Sequence, residues 1–270
     1  SCKKQRPIEG IIFDLDGTLI DYEGASHIAL ARPLERLGRS FTWEVHAQIV
    51  GTKPDDWSAQ ILAALSIPPD LLSPGQYVED YFREIASLYA SIPAWDGCVK
   101  LLEAFQRARF PMAIATSSPR DSFDKKMQYH ASILSKMSAI VTGDEVRYGK
   151  PAPDIFLEAA RRLGCDPHRC IVFEDSPLGI MGAHAAGCLA VGLPDARMPS
   201  NEPRFIEAGP RWLLRSGIGA FDVSSIRHTL PSRRDSSMRS SRLASSTAAA
   251  AVVVAATTAV VVAMCLKQAC

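Results

Sequence analysis

The chain has 270 residues, 47% hydrophobic and 22% charged, the balance of a folded globular protein; a mainly disordered chain, a collagen-like fibre and a coiled coil are excluded. Its net charge is +1, so no global charge points to a nucleic-acid partner. Seven cysteines, scattered and without a Cys-x-x-Cys pair, read as reduced thiols rather than a disulfide scaffold or a zinc site.

Ser1–Arg6 precedes no apolar run of signal-peptide length. Ile8–Phe13 is β-branched and aromatic and predicts a buried strand. From Ile20 to Pro93 the pattern is helical, roughly Ala25–Leu37, Trp43–Ile49, Asp55–Leu65 and Gly75–Ala90, without a buried strand. That predicts a small α-helical cap domain, residues 21–94, inserted after the first strand. Beyond it, apolar runs at Met112–Thr116, Ala139–Thr142, Cys170–Phe173 and Leu189–Leu193 alternate with helical patterns. Those patterns cover Val99–Arg109, Phe123–Leu134, Ile155–Leu163 and Ile180–Ala186. Phe205 and Trp212 read as core residues of a last helix and strand. The alternation predicts an α/β fold, a three-layer Rossmann-like parallel sheet formed by residues 8–20 and 95–223.

The end of the chain changes character. Residues 224–247 read as a Ser/Arg-rich linker. Ala248–Leu266 is an uncharged run of 19 residues, almost all Ala, Val and Thr, just long enough to cross a bilayer as a helix. From Arg233 on there are five basic residues and one acid, so the preceding body carries −3. Two readings stand for this tail: a membrane anchor with its arginines and the body of the chain on the cytoplasmic side, or a low-complexity extension. Nothing in the sequence fixes the oligomeric state.

Four motifs carry chemistry. Phe13-Asp14-Leu15-Asp16-Gly17-Thr18 ends the first strand with two acids and a turn glycine, a hard-oxygen site suited to Mg²⁺ at the carboxyl end of a parallel strand. Ala115-Thr116-Ser117-Ser118 puts three hydroxyls between a strand and a helix start, where they could hold a phosphate or cap the helix. Gly149-Lys150-Pro151-Ala152-Pro153 aims a lysine from a stiffened turn. Phe173-Glu174-Asp175-Ser176-Pro177 again ends a buried strand with two acids, costly there unless they meet a cation.

In this order the four motifs, between about Ile8 and Met198, resemble the haloacid-dehalogenase superfamily of phosphohydrolases. Ser117-Ser118 with Ser122-Phe123-Asp124, Lys126 and His130 is similar to the pseudouridine-5′-phosphatase and glycerol-3-phosphate phosphatase branch, as are Phe41-Thr42-Trp43, Val50-Gly51-Thr52-Lys53 and Gly143-Asp144. The resemblance implies Mg²⁺-dependent hydrolysis of a small phosphorylated metabolite through an aspartyl-phosphate. Asp14 would be the nucleophile and Asp16 the acid and base. Thr116 and Lys150, helped by Ser117, would stabilise the phosphoryl oxygens. Asp14, the Asp16 carbonyl and Asp175 would hold the metal, supported by Glu174. Lys53 is the cap residue expected to touch substrate. Two departures bear on substrate choice. Tyr22 stands where the branch has Thr or Ser, and Trp95-Asp96-Gly97 stands where it has Pro-Gly. Asp16 argues against a dehalogenase. The enzymatic rival is a sugar phosphomutase of the beta-phosphoglucomutase type, which needs a cap group controlling Asp16; His27 lies in the neighbourhood, but Ser26 aligns with the position such a group takes. A dead-copy scaffold requires a lost acid or lysine, and all are present.

Overall fold

The computed structural model of the protein describes residues 7–50 and 52–226. The apolar runs form strands β1 (Gly10–Phe13), β2 (Met112–Ala115), β3 (Ala139–Val141), β4 (Cys170–Glu174), β5 (Leu189–Gly192) and β6 (Trp212–Leu213). All pair in parallel, in the order β3-β2-β1-β4-β5-β6. Alternate side chains of a strand leave on opposite faces. Ile11 and Phe13 therefore join one core cluster with Leu102, Phe105 and Phe173. Ile12 joins the other with Ala113, Phe156 and Val172. Burial on both faces is what a parallel sheet requires.

Between β1 and α5 (Cys98–Arg107) the chain forms α1 (Tyr22–Glu35), α2 (Trp43–Ile49), α3 (Pro54–Ala64) and α4 (Pro74–Leu88). Asp21 starts α1 by accepting the Gly24 amide at 2.9 Å, and Ser73 with Gln76 forms a capping box on α4. Trp57 packs edge-on against Tyr77 and Tyr81, and the buried Tyr77 hydroxyl donates to the Leu30 carbonyl at 2.9 Å. The segments entering and leaving the insert run side by side: Asp21 N–H donates to Pro93 O and Trp95 N–H to Leu19 O.

Arg197, in the loop after β5, fastens this junction. Its guanidinium bonds Asp21 at 2.6 and 3.0 Å and also Asp195. It lies 4.4 Å from the Trp43 ring and 5.1 Å from the Trp95 ring. His27 stacks on Trp43 at 4.0 Å and meets the buried His46 ring nitrogen at 3.2 Å.

The remaining helices are α6 (Arg120–Met127), α7 (Ala131–Leu134), α8 (Asp154–Leu163), α9 (Pro177–Ala185) and α10 (Glu202–Ala208). One expectation fails here: Phe123–Leu134 is two helices, not one. His130 leaves helical geometry at φ −121°, ψ 44°, and the kink lets Met127, His130 and Ile133 all be buried; burial outweighs propensity in a stretch with no Gly or Pro. α9 starts earlier than its periodicity suggests because Pro177 fits the first turn and Ser176 caps it. The core also runs past 223, since Ile226 packs against it. The rest of the Ser/Arg-rich segment, from 227, and the apolar run 248–266 lie outside the described residues. Among the described residues no helix is long and apolar enough to cross a membrane.

Candidate active site

The connections leave β1 toward β2 on one side and return to β4 on the other, so a crevice opens at the carboxyl ends of these strands. Asp14 follows β1, Thr116 follows β2, and Glu174 ends β4 with Asp175 next. The Asp14 amide donates to Phe173 O at 2.9 Å and the Thr116 amide to Val141 O at 3.0 Å, which pins both residues to the neighbouring strand. Lys150 arrives from the loop before α8. Its Nζ is 2.5 Å from Asp14 Oδ1 and also donates to Glu174 Oε1. Asp14 and Glu174 are buried, and 8% of the Lys150 side chain is exposed.

Three carboxylates share this crevice with one ammonium. The Asp14 carboxyl is pushed up to about 7: burial is the largest cause, the Lys150 ammonium opposes it, and the Glu174 and Asp16 charges add to it. Burial, then the Asp14 and Glu174 charges, hold Asp175 well above the usual carboxylate range. Burial disfavours the Lys150 ammonium, but Asp14 and Glu174 outweigh it and keep the group above its ordinary value. Such an excess of negative charge invites a cation. Gly17 is built around it: at φ +85° a Cβ would fall 1.9 Å from Asp175 Oδ2. Thr18 donates to the other Asp175 oxygen at 3.2 Å.

Among the described residues no group of three or more His, Cys, Asp and Glu side chains forms a ready metal cage. Asp14, Glu174 and Asp175 offer oxygen donors only, a chemistry that fits a hard cation such as Mg²⁺, which keeps several waters and takes one or two carboxylates.

Thr116 is buried, and its Oγ1 accepts the Ser118 amide at 3.1 Å. Ser117 is exposed and lines an open cleft of ≈ 260 Å³ with Lys150, Asp175 and Glu23. Lys53 does not join them: it is exposed at the start of α3 and absent from that cleft's lining. A larger cavity of ≈ 400 Å³ beside Trp95 and Arg197 contains none of Asp14, Thr116, Lys150 or Glu174.

Asp16 brings in Lys126, to which the motifs gave no role, and Ser118, expected only as a phosphate-holding or helix-capping hydroxyl. Lys126 Nζ lies 2.6 and 2.5 Å from the two Asp16 oxygens, and Ser118 Oγ lies 2.8 Å from Oδ2. The signal in the sequence was positional. Lys126 occupies the apolar face of its helix, between Phe123 and Met127 in the pattern, and all three are buried.

Residues 8–187 match the sequence profile of the haloacid dehalogenase-like hydrolases. The chain is 34% identical over 196 residues to (DL)-glycerol-3-phosphatase 1, mitochondrial, of Arabidopsis thaliana, covering 71% of this chain and 65% of that protein, a little under two thirds of its length. It is 32% identical over 201 residues to a Drosophila melanogaster protein named "Probable pseudouridine-5'-phosphatase", covering 73% of this chain and 86% of the other. The solved structure of CbbY from Rhodobacter sphaeroides in complex with phosphate superposes with a TM-score of 0.64 at 25% identity, covering 81% of this chain and 99% of that one.

Proposed function

The chain belongs to the haloacid dehalogenase-like hydrolases, and from that premise we propose that it is a Mg²⁺-dependent phosphatase of a small phosphomonoester. Glycerol phosphate and pseudouridine monophosphate are the substrate classes the names of these relatives suggest, and sugar phosphates, which a phosphatase of phosphorylated carbohydrates from Thermotoga maritima suggests, are the third. The observation that carries the reading is the buried Asp14–Lys150–Glu174 cluster with Asp175 and Asp16 beside it, at the carboxyl ends of β1 and β4.

An Asp14 oxygen attacks phosphorus in line with the leaving oxygen, giving an aspartyl-phosphate as the phosphorus–oxygen bond to the alcohol breaks. Asp16 gives its proton to the departing alkoxide, then takes one from the water that hydrolyses the intermediate. Lys150 and Thr116 donate to the phosphoryl oxygens as their charge shifts, with Ser117 at the cleft edge. Asp14, the Asp16 carbonyl and Asp175 would hold the metal, and Glu174 would support it from behind. Bound there, Mg²⁺ offsets the repulsion between an anionic nucleophile and an anionic ester. The helical insert, 21–94, acts as the cap that closes over the cleft and keeps bulk water out.

The contacts of Asp16 favour this reading over a phosphomutase. Its partners, Lys126 and Ser118, come from α6 and the loop before it rather than from the cap. His27 is turned toward His46 and Trp43.

The test is phosphate release from a panel of small phosphomonoesters, with Mg²⁺ and with chelator, alongside a sugar-phosphate isomerisation assay. Metal-dependent release from one or two compounds is expected. Isomerisation without release would transfer the case to the mutase, and silence in both assays would return the scaffold.

A further inference from the structure

Lys126 is out of place for a residue without a function. It sits on α6 with 1% of its surface exposed, and an ammonium stripped of water is strongly unfavourable unless an anion and acceptors replace that water. Here the replacement is complete. The three protons of Nζ have three acceptors: Asp16 Oδ1 at 2.6 Å, Asp16 Oδ2 at 2.5 Å and Ser118 Oγ at 2.8 Å. Ser118 Oγ in turn donates to Asp16 Oδ2 at 2.8 Å. The Tyr22 ring lies 4.5 Å from Nζ, a cation–π contact on a further side. Among the described residues Lys126 makes its ion pair with Asp16 alone.

On the reading of Asp16 as the proton donor and acceptor, we propose that Lys126 is a positioning residue of the reaction. With Ser118 it clamps both oxygens of the Asp16 carboxylate and so fixes the side chain that exchanges a proton with the leaving oxygen. Oδ2 takes two of these hydrogen bonds and Oδ1 only one, so Oδ1 keeps a lone pair for the transferred proton. The clamp is built from the core, and the geometry of proton transfer is set before the cap closes. A carboxylate already held in place loses less freedom at the transition state than one that must be ordered there.

The experiment is a double-mutant cycle on the full chain with Lys126→Met, Asp16→Asn and both together, read with two substrates. One is the alkyl phosphomonoester hydrolysed fastest in the panel. The other is p-nitrophenyl phosphate, whose leaving group departs without a proton, followed by first-turnover nitrophenol release. Lys126→Met should slow the alkyl ester about tenfold or more and first-turnover nitrophenol release by less than about threefold. On the Asp16→Asn background it should cost nothing further, within about twofold.

Equal losses on both substrates, or additive losses in the double variant, would overturn the proposal, since a structural lysine produces either. Ser118→Ala removes part of the same clamp without unpairing a buried ammonium, so it applies the same criteria if Lys126→Met does not fold. Asp16→Asn separates the two levels. If it spares the alkyl ester, the acid–base reading of Asp16 falls and takes the clamp with it. If it is selective for the alkyl ester and Lys126→Met is not, the clamp alone falls.

Discussion

In the role we propose for it, Asp14 carries two requirements that pull against each other: burial favours its neutral form, while attack on phosphorus needs the anion. Lys150, 2.5 Å away, favours the anion. Asp14→Asn keeps the volume and removes the nucleophilic charge. It should reduce phosphate release to less than about a hundredth of the wild-type rate with the fold intact, as checked by circular dichroism and the panel assay. At this scale the sequence was informative where chemistry coincides with a strand end. Asp14, Thr116, Glu174 and Asp175 each sit at such an end, so a short apolar run followed by a polar cluster marked the places, and the order of the four motifs, through the family they resemble, supplied the expected roles. Lys126 escaped that logic. Its partner is 110 positions away, and its one local signal was its place between Phe123 and Met127 on the apolar face of α6.

Among the elements, the strands were legible as short continuous apolar runs, which burial on both faces requires, and the insert helices as apolar residues at helical spacing. The division between α6 and α7 was not, because no Gly or Pro marks it and burial alone imposes it. The junction leaving the insert shows another property hidden from one-dimensional patterns. Gly97 starts α5 at φ +78°, and a Cβ there would come 2.6 Å from the Gly219 Cα. Two glycines far apart in the chain are thus matched so that their backbones can touch. Gly97→Ala combines an unfavourable left-handed conformation with a clash against backbone that has no side chain to move. It should destabilise the protein by about 2 kcal/mol or more, read as a lower urea midpoint. Gly38, also at positive φ but with open space around its Cβ position, should lose only about 1 kcal/mol as Gly38→Ala.

For the whole molecule, stability is coupled to acidity through the aromatic cluster on the insert. Burial, then His46 and Arg197, lower the His27 imidazole from 6.5 to about 4. The folded state therefore holds His27 neutral while the unfolded chain takes up a proton more readily. Above pH 6.5 both states are neutral there and the full stability is present. As pH falls from 6.5 toward 4 the unfolded state binds more protons and stability is lost. Urea midpoints across that window should fall for the wild type and fall less for His27→Phe, which keeps a ring on Trp43 and cannot titrate. The difference between the two profiles isolates His27 from the carboxylates of the crevice.

The same corner of the molecule ties the insert to the sheet. Arg197 joins the Asp21 carboxylate to the loop after β5 and rests between Trp43 and Trp95, so one side chain holds the entry, the exit and a helix of the insert. An ion pair with 28% of its arginine exposed is weakened by dissolved electrolyte, whereas the aromatic faces around it are not. The fastening is therefore two clasps in one, the first sensitive to ionic strength and the second indifferent to it. How firmly the insert is held is accordingly a property the surrounding medium shares in setting, while the Asp14–Lys150 pair, with only 8% of either side chain exposed, feels that medium far less.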